Sequence, residues 1–131
     1  MNIEYRDGLI FTSIQISYKG KSKIVNNVVI DTGAAGSIIS PDAVDDIGIY
    51  AEPGDRIMEY YGVGGSSHNA FIKKIDEIIL GSQSINDIEI DFGIIDTRGE
   101  ISGLIGLDIL MKVGAVIDLK NLNIDVSKIS E

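Results

Sequence analysis

Within the chain, the stretch Val28-Val29-Ile30-Asp31-Thr32-Gly33-Ala34-Ala35-Gly36-Ser37-Ile38-Ile39-Ser40 is the most constraining. Its first three residues are β-branched, the pattern of a buried strand near its end. They run directly into a carboxylate, a hydroxyl and a glycine, and a second β-branched segment resumes at Ile38. A carboxylate buried at a strand end is costly unless hydrogen bonds or a partner charge compensate. A purely structural one is better accommodated at the surface, so the placement of Asp31 points to chemistry. An Asx-type turn, which Asp-Thr-Gly readily forms, accounts for the same residues without any chemistry.

The rest of the chain reads as strands. Ile, Val and Leu carry the apolar content, aromatic residues are sparse, and no helix-period apolar stripe of useful length is present, which predicts an all-β fold. Leu9 to Tyr18 alternates, with Ile10, Thr12, Ile14, Ile16 and Tyr18 on one face. Gly20 marks a hairpin turn, and the return strand from Lys23 to Ile30 delivers Asp31. Ser40-Pro41 reads as the N-cap and first position of a short helix that Gly48 ends. Asp55 to Val63 and Ser67 to Leu80 form two arms around a glycine-rich tip, and Ile85 to Ile95 is a further strand. A short helix from Leu107 to about Met111 and a closing hairpin, Ala115 to Asp118 with Leu122 to Val126, complete the chain.

Length and charge narrow the function. A chain of 131 residues is expected to be one domain, 1–131, with a single core. The absence of cysteine excludes disulfides, cysteine-ligated zinc and thiol catalysis. A net charge of −9 argues against nucleic-acid and acidic-membrane partners. The first residues lack a basic stretch followed by an apolar one, and no run reaches transmembrane length, so a cytoplasmic protein is expected unless the domain is excised from a longer chain. His68 has no metal-ligand companions and the aspartates show no calcium-loop spacing, so neither metal nor cofactor is expected. The glycine-rich segment Gly62-Val63-Gly64-Gly65 is no phosphate loop, because no Lys-Ser/Thr follows it. It fits either an ordinary hairpin with a flexible tip or a flap that closes over a substrate.

Asp31-Thr32-Gly33-Ala34 after an apolar strand resembles the active-site signature of the retropepsin-like (retroviral-type) aspartic proteases. Ile101-Ser102-Gly103-Leu104-Ile105-Gly106-Leu107-Asp108-Ile109-Leu110 is similar to that family's apolar segment before its C-terminal helix. Tyr61-Gly62-Val63-Gly64-Gly65 falls where the family has its flap. The resemblance implies a single-lobe acid-protease-type β-barrel with one or two short helices, acting as a homodimer on peptide or protein substrates. It makes Asp31 the catalytic residue, Thr32 a brace across the twofold axis, Gly33 the site of close backbone approach and Ala34 a lining residue. Gly62, Val63, Gly64 and Gly65 would bind substrate as the flap, with Ile105 and Val63 among the pocket walls. Asp108, inside the second segment, is a further candidate for a catalytic carboxylate, but within that helix it is expected to hydrogen-bond backbone or an arginine. Asp96, whose Asp-Thr-Arg-Gly echoes the first motif, carries Arg98 where close approach requires glycine and is expected in a surface loop. The chain is longer after Leu107 than the shortest viral members. A non-catalytic dimerisation or peptide-binding module with the same fold is the alternative.

Overall fold

Alternation of apolar and polar residues dominates the observed structure, a computed structural model that describes residues 1–61, 67–96 and 98–126. Strand β1 (Glu4–Arg6) precedes the long β2 (Leu9–Tyr18). On β2, Ile14, Ile16 and Tyr18 are buried while Ser13, Gln15 and Ser17 between them are partly exposed. Lys19 and Gly20, at φ 49° and 84°, turn the chain into β3 (Lys21–Ile30). Two successive left-handed residues match the twist of a hairpin, and glycine adopts that conformation without steric cost.

A bulge in β3 places the functional segment. Between Thr12 and Ile14 the partner on β3 jumps from Val28 to Val25, so Asn26 and Asn27 are accommodated against a single intervening residue. Asn27 is left-handed, at φ 58°. Its carbonyl accepts the Ser102 N–H at 2.9 Å and its side-chain oxygen accepts Arg6 Nη2 at 3.0 Å. The bulge re-aims the end of β3, and Val28–Ile30 then pairs in parallel with β8 (Gly103–Ile105).

The remaining strands are β4 (Ile38–Ile39), β5 (Ile57–Tyr61), β6 (Ser67–Leu80) and β7 (Gln83–Gly93). Sheet order is β1-β2-β3-β8-β4-β7-β6-β5, and a further pairing of β2 with β6 closes the strands from β2 to β6 into a ring. Its interior holds Ile14, Ile16, Ile39, Ile75, Ile90 and Phe92, each at most 2 % exposed. Each such side chain contributes about 2 kcal/mol of transfer free energy. Phe71 stacks on Phe92 at 5.4 Å between ring centres. Helix α1 (Leu107–Lys112) packs Ile109 and Leu110 against this core, followed by the hairpin β9 (Ala115–Asp118) and β10 (Asn123–Val126). No helix among the described residues is long and apolar enough to cross a membrane.

Two local expectations need correction. Ser40 and Pro41 do start helical structure, but as two 3-10 turns, Pro41–Ala43 and Asp45–Ile47, and the Ser40 side chain caps neither. The strand expected to reach Ile95 stops at Gly93, leaving Ile94 59 % exposed. Beyond Ala70, which faces Gly93, β6 pairs with β5 alone, so no backbone partner remains on that side for Ile94.

A buried lysine fixes the approach to β5. Lys73, 7 % exposed on β6, bonds Glu52 and lies 2.9 Å from Asp55 Oδ2. Burial opposes the charge on Lys73, but its two carboxylate partners outweigh that and raise its pKa. The bond from Lys73, with help from the Glu52 N–H, holds Asp55 below the usual carboxylate range. Lys73→Met should therefore destabilise the protein at neutral pH, by less than the loss of a fully buried pair because Glu52 is half in water. The lowered Asp55 pKa makes its share present above the normal carboxylate value and lost as pH falls through the folded value. The raised Lys73 pKa makes its share present below the normal lysine value and lost at higher pH. Urea unfolding of both proteins should show a constant difference from roughly pH 5 to 10 that shrinks in stronger acid. A pH-independent difference would rule out the ion cluster as its origin.

Candidate active site

The loop of residues 31–37 connects β3 to β4, and β8 lies between those two strands. The loop must therefore cross over the end of β8, where Gly106 stands. The Asp31 N–H donates to the Ile105 carbonyl at 2.9 Å, continuing the β3–β8 ladder by one residue. The Leu107 N–H donates to the Ala34 carbonyl at 2.8 Å, and the Asp108 N–H to the Ala35 carbonyl at 3.1 Å. A Cβ on Gly106 would lie 2.5 Å from the Gly36 carbonyl oxygen and 2.7 Å from that of Ala34. Only glycine permits this crossing.

Ser37 and Asp108 lock the same junction. Ser37, buried at 2 % exposure, donates its hydroxyl to Asp108 Oδ1 at 2.6 Å and its N–H to Asp108 Oδ2 at 3.1 Å. The Ser37 Oγ in turn accepts the Gly106 N–H at 2.9 Å. Asp108 also accepts the Ile109 N–H at 2.8 Å. The carboxylate is thus spent on holding the loop, and its side-chain partner is a serine rather than an arginine.

Asp31 itself is half-buried, not buried, while Thr32 and Gly33 are exposed and Ala34 is partly covered. Asp31 Oδ1 accepts the Gly33 N–H at 2.8 Å, the geometry of an Asx turn. A Cβ on Gly33 would lie 3.2 Å from that oxygen and press on the carboxylate. Asp31 Oδ2 accepts no hydrogen bond from the described residues. The turn that sequence offers as an alternative to chemistry is therefore also the device that orients the carboxylate, with one oxygen held and the other turned to whatever approaches.

Asp96 lies in a surface loop and accepts the N–H groups of Arg98, Glu100 and Ile101 at 3.0–3.2 Å. Those bonds, chiefly the one from Arg98, hold its pKa below the usual carboxylate range. Thr97 falls outside the described residues, as do Gly62, Val63, Gly64 and Gly65, the residues of the expected flap.

Beside the loop is a cavity of about 590 Å³ lined by Ala34, Gly36, Ile38, Met58, Asp91 and Leu104. Ile105, expected in a pocket wall, is instead fully buried in the core. Successive strand residues face opposite ways, so Leu104 takes the outward position and Ile105 the inward one.

The model of the aspartyl protease family matches residues 14–109, most of the chain. The chain belongs to that family. Solved structures agree in fold at low identity. A retropepsin-like aspartic protease from Rickettsia conorii is 19 % identical with a TM-score of 0.67, covering 95 % of each chain. The EIAV protease complexed with the inhibitor HBY-793 is 20 % identical with a TM-score of 0.61, over 88 % of this chain and 99 % of that one. The retroviral protease-like domain of Ddi1 from Leishmania major is 18 % identical with a TM-score of 0.62, over 92 % and 90 %. No curated protein matches the sequence at a significant level. The fold is retropepsin-like, mostly β with short helices.

Within this aspartyl protease fold, Ser37, Gly106 and Asp108 support the candidate site without having been assigned to it from sequence. The Gly106-Leu107-Asp108 spacing in the second segment was the available signal. Its partner Ser37 is 71 residues away from Asp108 and could be paired with it only through the β3–β8–β4 crossing.

Proposed function

We propose that this protein is an aspartic endopeptidase whose active site forms when two copies bring their Asp31 residues together across a twofold axis. One observation carries the reading. Among the aspartates that sequence nominates, Asp31 alone keeps an oxygen without a hydrogen bond from the described residues, on an exposed loop. Asp108 is consumed by Ser37, and Asp96 by backbone N–H groups. The chemistry needs two carboxylates, and a second copy of the same loop is the natural source of the other. A twofold interface is isologous, so Asp31 meets Asp31.

Two carboxylates held a few ångströms apart cannot both ionise and so share one proton, for which aspartic protease dyads are the standard illustration. The ionised member takes a proton from water as the water oxygen adds to the peptide carbonyl. The protonated member gives its proton to the carbonyl oxygen. The adduct collapses as the C–N bond breaks, and the amine nitrogen takes the proton that the first carboxylate removed from water. The second carboxylate takes a proton from one hydroxyl as the new carboxyl group forms, which restores the singly protonated pair. Thr32 braces the two loops, Gly33 permits their close approach, and Ala34 lines the cleft. Gly62, Val63, Gly64 and Gly65 cover an extended peptide that pairs with them in the manner of an added strand.

Subunit dilution and mixing test the shared site. Activity per chain should fall in step with the dimer fraction as protein is diluted through its dissociation constant, followed by sedimentation. An excess of Asp31→Asn subunits should suppress the remaining activity, because mixed dimers hold one competent carboxylate. Subunit exchange is verified first with labelled chains. Activity per wild-type chain that stays constant despite exchange would mean that each chain carries a complete site.

A further inference from the structure

We propose that Lys73, acting through Asp55, holds the β5 arm as one wall of the cavity beside the Asp31 loop and so governs peptide retention there. The inference rests on the proposed peptide-binding role of this site. The alternation of β6 makes the position of Lys73 unusual. Phe71, Lys73 and Ile75 are all buried and face the interior of the ring, while Ile72 and Lys74 between them are not buried. Across the ladder Lys73 lies opposite Ile90, which is fully buried. An apolar side chain would fill such a place at a lower desolvation cost than an ammonium. What the ammonium supplies instead is a directed bond to a segment that lacks an apolar anchor.

That segment is residues 50–59, the approach to β5 and the first part of the strand. Among them Asp55 alone is not exposed, its side chain keeping 15 % of its surface in water. Tyr50, Ile57 and Met58 are all exposed, so core burial does little to fix the segment. Among the described strands, β5 is an edge strand paired with β6 alone. Asp55 Oδ2 lies 2.9 Å from Lys73 Nζ and also accepts the Glu52 N–H at 2.8 Å, and Glu52 itself bonds Lys73. One residue on, the Arg56 carbonyl accepts the Ile72 N–H at 3.0 Å, at the start of the β5–β6 pairing. Arg56 also pairs with Glu89, but both are more than half in water, and such pairs hold weakly. Met58 follows Asp55 by three residues, about 10 Å along an extended strand, and lines the cavity with Ala34, Ile38 and Leu104. Lys73 is not among the lining residues, so it is a positioning residue that reaches Met58 through Asp55 and the strand.

The sequence has no cysteine, so cysteines introduced for spin labels are the only ones present. Labels at Ile57→Cys on β5 and Met111→Cys on α1, both exposed positions, report the pose of the arm by pulsed electron resonance in samples diluted with unlabelled protein. Adding Lys73→Met should broaden or shift the distance distribution at a temperature where the protein is fully folded. Lys73→Arg should leave the distribution close to that of the parent. In parallel, a fluorescein-labelled decapeptide selected from a random library on Asp31→Asn protein is titrated by anisotropy. Lys73→Met in that protein should weaken binding by about fivefold, and by no more than about twofold once Met58→Ala has removed the wall that Lys73 positions. An unchanged distance distribution, or a binding loss that is the same with and without Met58, overturns the inference. A library that yields no binder overturns it together with the peptide-binding reading of the site. Binding that depends on Lys73 through Met58, in a protein that cleaves no peptide, upholds the inference while overturning the endopeptidase reading.

Discussion

Asp31→Asn should give a folded protein in which the proposed peptide cleavage is reduced by about a thousandfold or more, the range expected when general acid–base catalysis is lost. The side-chain amide is nearly isosteric with the carboxylate. Its oxygen can still accept the Gly33 N–H that now lies 2.8 Å from Oδ1. The turn should therefore persist, and thermal melting should be nearly unchanged. What the amide cannot do is take a proton from water. Where two copies meet, replacing one or both carboxylates also removes like-charge repulsion, so self-association should be retained or strengthened. Cleavage of a peptide panel and sedimentation of the same preparations check both halves. Wild-type rates from a preparation free of other proteases would remove Asp31 from the chemistry.

The second large effect is expected at Gly106→Ala. The added Cβ would overlap two backbone carbonyl oxygens, at 2.5 and 2.7 Å, and neither can rotate away as a side chain could. The loop of residues 34–36 must then lift from the β8–α1 junction. That strains the Leu107 and Asp108 N–H bonds to the loop and the Gly106 N–H bond to Ser37. Overpacking and weakened hydrogen bonds together should cost about 3 kcal/mol or more. Melting should fall by about 10 °C or more for a domain of this size. Cleavage should fall further than stability accounts for, because Asp31 begins the loop that is displaced. A melt within a degree or two of wild type would show that the crossing can relax. In that event, the requirement for glycine would have to be abandoned.

These two residues illustrate different kinds of legibility. Asp31 stands out in sequence because a β-branched run ending in Asp-Thr-Gly is a local pattern, and strand periodicity and turn chemistry act over a few residues. The Lys19-Gly20 turn, the alternation of β2 and the short helix after Gly106 are readable on the same grounds. The family resemblance extends this reading by ordering three segments, and the match over residues 14–109 agrees with it. Gly106, by contrast, stands out in sequence only as part of the second resembling segment, and the reason it must be glycine emerges when the loop is seen to cross above it.

The sequence alone determined the class of structure, the identity of the turn that presents Asp31, and the family. Only the tertiary structure decided which aspartates remain available, since Asp108 is engaged by a serine 71 positions away and Asp96 by its own loop. It also decided which face of β8 lines the cavity. Pairing register is set by contacts among β3, β8, β4 and β7, and a shift of one residue exchanges Leu104 with Ile105. The Ser37–Asp108 lock has no local signature, because it is assembled from segments whose proximity is established by the closed sheet.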